Sequence, residues 1–378
     1  MSHPAAPLSG VCPPRFGEVE RVFAGHFDEG LELGARCTIA IEGEIVVDLM
    51  GGFADRAQTR PFESQTLAPV FSTTKALAAV MIARLVGEGR LDYRTPVAAL
   101  WPEFAASGKA AITVEQALSH QAGLCGLPGP MSRRDWYDWD GVCARLAAME
   151  PLWLPGSASG YHPVTVGYLA GEIFRRVDGR TIADALREDI AAPLDLDVWI
   201  GLPDSEAARC ADVRRPPAMP ELGEISLARR LAFFSPWSTP GGADPATMRR
   251  AQIPSANGYA TAASLARLMA MLACDGSLDG RRWLAPGAAA LAAAERISGA
   301  DLVLPYELSW GAGLLRNQGL GIYGPGEESI GHSGWGGSCA FADPERRLSG
   351  AYVMNRQSAE LIADRRSRAL IEAVYASL

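Results

Sequence analysis

The chain has 378 residues, 48% of them hydrophobic and 21% charged, with a net charge of −8 at pH 7. A chain of that size can bury most of its apolar surface in one large domain or two intimately packed ones. Its acidic balance argues against a phosphate backbone as partner, so no nucleic acid is expected.

The first residues, Met1 to Leu8, have neither a basic start nor an apolar run, so no signal peptide is expected. Phe16 to Glu29 has helical spacing through Phe16, Val19, Val22, Phe23 and Phe27. Cys37 to Ile41 and Ile45 to Met50 read as a hairpin joined through Glu42-Gly43. Helices are predicted over Thr73 to Glu88, Val114 to Ser119, Thr165 to Val177, Ile182 to Asp189 and Ala262 to Asp275, separated by Pro- and Gly-rich connections. Strands return at Ser338 to Ala342 and Leu348 to Met354, and Ser358 to Leu378 closes the chain as an amphipathic helix. The longest apolar stretch, Leu77 to Val86, is interrupted by Arg84 and too short to cross a bilayer, so no membrane is expected. Strands at both ends around a helical middle predict an α/β (α+β) fold. An antiparallel sheet domain would come from 1–70 together with 305–378, and a mainly helical domain from 71–304.

Two features of composition bear on chemistry. Seven cysteines, at 12, 37, 125, 143, 210, 274 and 339, form no C-x-x-C pair and read as buried thiols in a reducing compartment, by default the cytoplasm. Of 35 basic residues only Lys75 and Lys109 are lysines. Lysine can lose its proton and arginine cannot, although coding bias alone could also deplete lysine. Nine tryptophans suggest an aromatic-lined pocket, but aromatic residues more often fill the core.

The main chemical signal is Ser72-Thr73-Thr74-Lys75, an S-x-x-K at a helix start whose i, i+3 spacing puts serine and lysine on one face. Serine needs a base to become a nucleophile, and burial near a helix N-terminus can lower a lysine pKa enough to supply one. The Ser72 N–H, free at the helix start, could donate to an oxyanion. A plain reading stands beside this one: Ser72 as an N-cap.

The stretch from Ser72 through Phe104 resembles the nucleophile helix and following segment of serine β-lactamase-related proteins. Ile112 to Leu124 (ITVEQALSHQAGL) is similar to the next helix and its His-x-x-Gly turn. Gly160 to Thr181 (GYHPVTVGYLAGEIFRRVDGRT) and Gly331 to Ser338 (GHSGWGGS) resemble the tyrosine segment and late strand of the branch called family VIII carboxylesterases. The resemblance implies a β-lactamase/penicillin-binding-protein-like fold with the active site between sheet and helices. It implies that Tyr161 completes the base with Lys75 and that the Trp335 N–H is the second oxyanion donor. It also puts His332, Ser333, Gly334, Gly336 and Gly337 along the substrate, the last two letting it approach the backbone. Two accounts of His332 remain open, substrate contact or a strand-edge histidine with one hydrogen bond. Asn257, in PSANGYAT, fits either the pocket or a plain turn. His120 is expected to bind a backbone carbonyl below the site, and Gly123 to supply a turn.

Two departures discriminate within the family. Pro163 stands where lactamases carry asparagine, and His332 stands where they carry lysine, which weakens the case for antibiotic or D-alanyl peptide chemistry. Short-chain ester hydrolysis of a small molecule, without metal or cofactor and with weak β-lactamase side activity, is the expectation. An acyltransferase, a β-lactamase or D-alanyl peptidase, and an acylated binding or sensor module are the alternatives. An α/β-hydrolase is the weaker expectation, since the nearest elbow, Gly331 to Trp335, lacks glycine at its fifth position.

Overall fold

The computed structural model describes residues 7–216, 218 and 220–378. Its centre is a nine-stranded sheet built from β1 (Leu8–Val11), β2 (Gly34–Ile41), β3 (Glu44–Gly52), β4 (Ile297–Ala300), β5 (Glu307–Trp310), β6 (Leu315–Arg316), β7 (Ile330–Ser333), β8 (Cys339–Asp343) and β9 (Leu348–Met354). The spatial order is β1-β3-β2-β9-β8-β7-β6-β5-β4, and every pairing is antiparallel. The expected hairpin is β2–β3, and both expected late strands are present. Five further short strands of this sheet carry too little periodicity to register, with two to four residues each, and of these only β7 was marked, by the family resemblance.

Alternation along β9 sorts the two faces. Leu348, Tyr352 and Met354 join the core beneath α1 (Gly17–Asp28) and the C-terminal helix, whereas Ala351 and Val353 turn to the opposite core. The second face is made of small side chains, including Ala340 and Ala342, so the helix Ala262–Ala273 lies close against β9, β2 and β8. Ser349 ties that contact by donating to the Ala266 carbonyl at 2.8 Å. The C-terminal helix spans Arg365–Ala376 and starts later than its pattern suggested, with Asp364 capping the Arg366 N–H at 2.9 Å. Residues ahead of it are held by other contacts, described below.

The helix Thr74–Gly87 is buried on almost every side, so its sequence shows little amphipathic contrast. It packs against Thr165–Asp178, Ile182–Leu186 and Ala288–Ala293. At its C-terminal end a Cβ on Gly87 would stand 2.9 Å from those of Ala285 and Ala288, so the alanine-rich wall demands glycine there. A second, three-stranded sheet, with Gly258–Ala260 between Ala68–Phe71 and Val198–Ile200, leads directly into this helix.

Arg366, 3% exposed, binds the sheet half together. Its guanidinium donates to Glu32 at 3.0 Å, to Asp364 at 2.9 Å, and to the carbonyls of Leu31, Arg356 and Gly336 at 3.2, 2.9 and 2.7 Å. Glu32 also accepts from the Tyr352 hydroxyl. Burial pushes the Glu32 carboxyl up to about 7, against the pull of Arg366. The folded chain therefore keeps a proton that an unfolded glutamate, with its ordinary value of 4.5, has released. Stability from this group is full below about 4.5 and is lost as the pH rises toward about 7. Urea midpoints of wild type and Glu32→Gln across that range should show a wild-type advantage that shrinks with rising pH; a constant difference would refute it.

Candidate active site

The short strand Ala68–Phe71 ends with Phe71 in the left-handed region, at φ 47, after a register slip beyond Pro69. That turn lifts Ser72 out of the strand direction just ahead of the helix. Thr74 holds it from below, donating to the Phe71 carbonyl and accepting from the Gly258 N–H at 2.8 Å. Ser338 holds it from the side, donating to the Val70 carbonyl at 2.9 Å and meeting the Thr73 hydroxyl at 3.1 Å. Ser72 is not the N-cap, a position Thr73 occupies; its hydroxyl instead accepts from Lys75 Nζ at 3.0 Å.

Lys75 is 4% exposed, and Nζ also donates to the carbonyls of Pro163 at 2.8 Å and Ser255 at 2.9 Å. No carboxylate pairs with it among the described residues, and burial pushes the amine well below its usual value. Lys109, the other lysine, is buried too, donating to the carbonyls of Ala106 and Met149. Both lysines thus serve as buried amines, so scarcity of lysine by itself did not single out the site.

Tyr161 is fixed by its surroundings. Trp310 stacks on its ring at 5.9 Å and 12°, His120 meets it edge-on at 4.9 Å, and Lys75 Nζ stands 4.8 Å from the ring centroid. Burial raises the phenol above its ordinary value, and a hydrogen bond with Ser72 offsets part of that rise. The three nearby histidines are neutral for a common reason. Burial is the largest cause each time, pulling His162 and His332 down to about 3 and His120 well below its usual value. Their partners fix the tautomers. His162 accepts the Leu124 N–H on Nε2 at 2.9 Å and donates from Nδ1 to the Gly160 carbonyl at 2.6 Å. His120 accepts the His162 N–H on Nδ1 at 3.1 Å, so it holds an amide rather than the expected carbonyl. His332 donates from Nδ1 to the Ser333 carbonyl at 2.8 Å, in an interior strand rather than at a sheet edge.

The loop after β7 carries the remaining candidates. Gly334 lets it approach the nucleophile turn, since a Cβ there would lie 2.2 Å from both Ser338 Oγ and the Val70 carbonyl. Trp335 packs edge-on to Phe71 at 6.2 Å, and its carbonyl accepts from Gln357 Nε2 at 2.9 Å. Among the described residues neither the Ser72 N–H nor the Trp335 N–H meets a protein acceptor.

Several expectations are corrected here. Gly336 and Gly337 adopt φ of 91 and 130, but the space a Cβ would need is taken by Gln357 and by Arg366 with Asp364, not left for substrate. Ser333 alternates away from His332 and shares its hydroxyl with Tyr323 at 3.1 Å. Asn257 is a turn residue whose amide donates to the carbonyls of Met248, Arg249 and Ala251. Gly123 does supply a turn, at φ 72. Trp310 and Trp335 line the site, whereas Trp136 and Trp139 line a separate cavity of about 300 Å³ with Tyr168. His162, Trp310, Gln357 and Asp301, whose carboxyl accepts the Tyr161 N–H at 2.9 Å, carried no signal as site residues in the sequence. Among the described residues no cluster of histidine, cysteine or carboxylate side chains is arranged to hold a metal.

A serine, a buried amine and a phenol at one helix start define an acyl-transfer site of the serine class. A family model described as Beta-lactamase matches residues 19–374, and the chain belongs to that family. It is 35% identical over 368 residues to the esterase/beta-lactamase LipL of Mycobacterium tuberculosis, covering 93% of this chain and 84% of that protein. The crystal structure of a penicillin-binding protein homolog from Caulobacter crescentus is 64% identical, with a TM-score of 0.97 over 98% of this chain and 100% of that one. The structure of a family VIII carboxylesterase is 41% identical, with a TM-score of 0.92 over the same shares.

Gly334→Ala should force the loop off the nucleophile turn. Overpacking of this kind costs about 1–3 kcal/mol. A lowered melting temperature together with a reduced rate of Ser72 labelling by a fluorophosphonate would check this.

Proposed function

We propose that this protein is a serine carboxylesterase that cleaves short-chain esters of small molecules through an acyl-enzyme on Ser72. The observation that carries the reading is the hydrogen bonding of Lys75. Lys75 Nζ is anchored on the Pro163 and Ser255 carbonyls and stands 3.0 Å from Ser72 Oγ, within reach of its proton once the amine has released one of its own, a release that burial favours. Lys75 then takes the Ser72 proton as Oγ attacks the ester carbonyl. The free N–H groups of Ser72 and Trp335 receive the oxyanion, and losing one such donor costs roughly 3–4 kcal/mol. As the ester C–O bond breaks, Tyr161 gives its proton to the departing alcohol and recovers one from Lys75. Water repeats the cycle to release the acid.

Two observations favour esters over β-lactams. No fixed cation replaces the lactamases' lysine, because His332 is held neutral, so a substrate carboxylate finds no charge partner there. The 41% and 35% identical relatives, a carboxylesterase and an esterase/beta-lactamase, support ester cleavage. All seven cysteines are unpaired, five of them buried and Cys12 and Cys210 half-buried, which supports a reducing compartment such as the cytoplasm. None of the described helices is long and apolar enough to cross a membrane.

Initial rates on p-nitrophenyl acetate and butyrate should exceed those on nitrocefin, and Ser72→Ala should abolish all three while leaving the melting temperature near wild type. An active Ser72→Ala enzyme would sink the assignment. Lys75→Arg, which keeps a cation but cannot release its proton, should lower kcat/KM by about 1000-fold.

A further inference from the structure

Resting on this esterase reading, we infer that Asp301 is the positioning residue that holds Tyr161 where it can protonate the leaving alcohol. Asp301 lies just beyond β4, on the far edge of the large sheet, and is 5% exposed. Its carboxyl is spent on backbone and hydroxyl donors. Oδ1 accepts the N–H groups of Tyr161 at 2.9 Å, Val303 at 2.9 Å and Leu304 at 2.8 Å. Oδ2 accepts the Ser159 hydroxyl at 3.0 Å. The Leu302 N–H donates to the Ser159 carbonyl at 2.9 Å, so the two segments are stitched on both sides of the carboxyl.

The need for such a clamp follows from the backbone around Tyr161. Residues 158–162 have no regular secondary structure, so no ladder fixes the tyrosine along the chain. Trp310 and His120 contact the ring, and His120 also accepts the amides on either side, that of Gly160 on its carbonyl at 3.0 Å and that of His162 on Nδ1 at 3.1 Å. Asp301 completes the hold by tying the Tyr161 amide itself to the end of the sheet that also carries Trp310. The phenol must keep its reach to Ser72 within a few tenths of an ångström, because proton transfer falls steeply once hydrogen-bond distance is exceeded. Asp301 touches neither substrate nor reacting atoms, and it acts only through the tyrosine.

The consequence is selective. An alkoxide is a poor leaving group and needs the Tyr161 proton, whereas p-nitrophenolate departs without one. Displacing the tyrosine should therefore damage alkyl-ester cleavage far more than aryl-ester cleavage, a split that a general loss of folded protein cannot produce. General acid catalysis is worth about 100-fold or more. Asp301→Ala should lower kcat/KM for ethyl butyrate by about 100-fold and for p-nitrophenyl butyrate by less than about 10-fold. Asp301→Asn keeps an oxygen for the three N–H donors and offers its amide to Ser159, so it should restore the wild-type ratio. Asp301→Glu keeps the charge but carries the oxygens one methylene out of register; it should reproduce the split even if Asp301→Ala does not fold. A wild type active on both esters, with an unchanged ratio in the Ala and Glu variants, overturns this inference alone. A wild type active on neither overturns the esterase reading and this inference with it.

Discussion

Burial holds the Lys75 amine well below its usual value without help from any neighbouring charge, the condition that the proposed role as base requires. That requirement shapes the surroundings. The helix that bears Lys75 is apolar nearly all round, and no carboxylate is admitted beside Nζ. The amine's hydrogens are satisfied by two carbonyls, from Pro163 and Ser255, that come from separate segments. An uncompensated buried polar group is expensive, so the convergence of both segments on the helix start stabilises the fold as well as orienting the amine.

Neutrality extends outward from the lysine. His120, His162 and His332 surround Tyr161 as uncharged rings, each with a tautomer dictated by one backbone partner. A charged imidazole would add repulsion beside Nζ, and burial works against it. Such surroundings suit the proposed cleavage of a neutral ester, because N–H donors act most effectively on a transient oxyanion where the dielectric is low.

The loop after β7 is governed from the far end of the chain. Gln357 fixes the Trp335 carbonyl, Arg366 fixes the Gly336 carbonyl, and the two glycines adopt conformations that admit these side chains. Ser338 then joins that loop to the nucleophile turn. Three distant pieces of sequence, the helix start, the late strand and the approach to the C-terminal helix, are therefore one mechanical unit.

What the sequence determined by itself was whatever repeats at short range. The helix that carries Lys75, the meeting of Lys75 with Ser72 just ahead of it, the β2–β3 hairpin and the Gly123 turn all follow from spacing or from a single φ requirement. The family resemblance added Tyr161, which stands beside Ser72, and Trp335, which packs on Phe71. Tertiary structure alone decided the rest. Asp301 reaches Tyr161 across 140 residues, Asn257 turned out to be spent on a local turn, and Gly336 and Gly337 make room for protein rather than substrate. The physical reason is that a hydrogen bond from a carboxyl to a distant amide, or a Cβ-sized space beside a remote side chain, leaves no period in the chain. Such features exist only once folding has brought the two ends of the contact together.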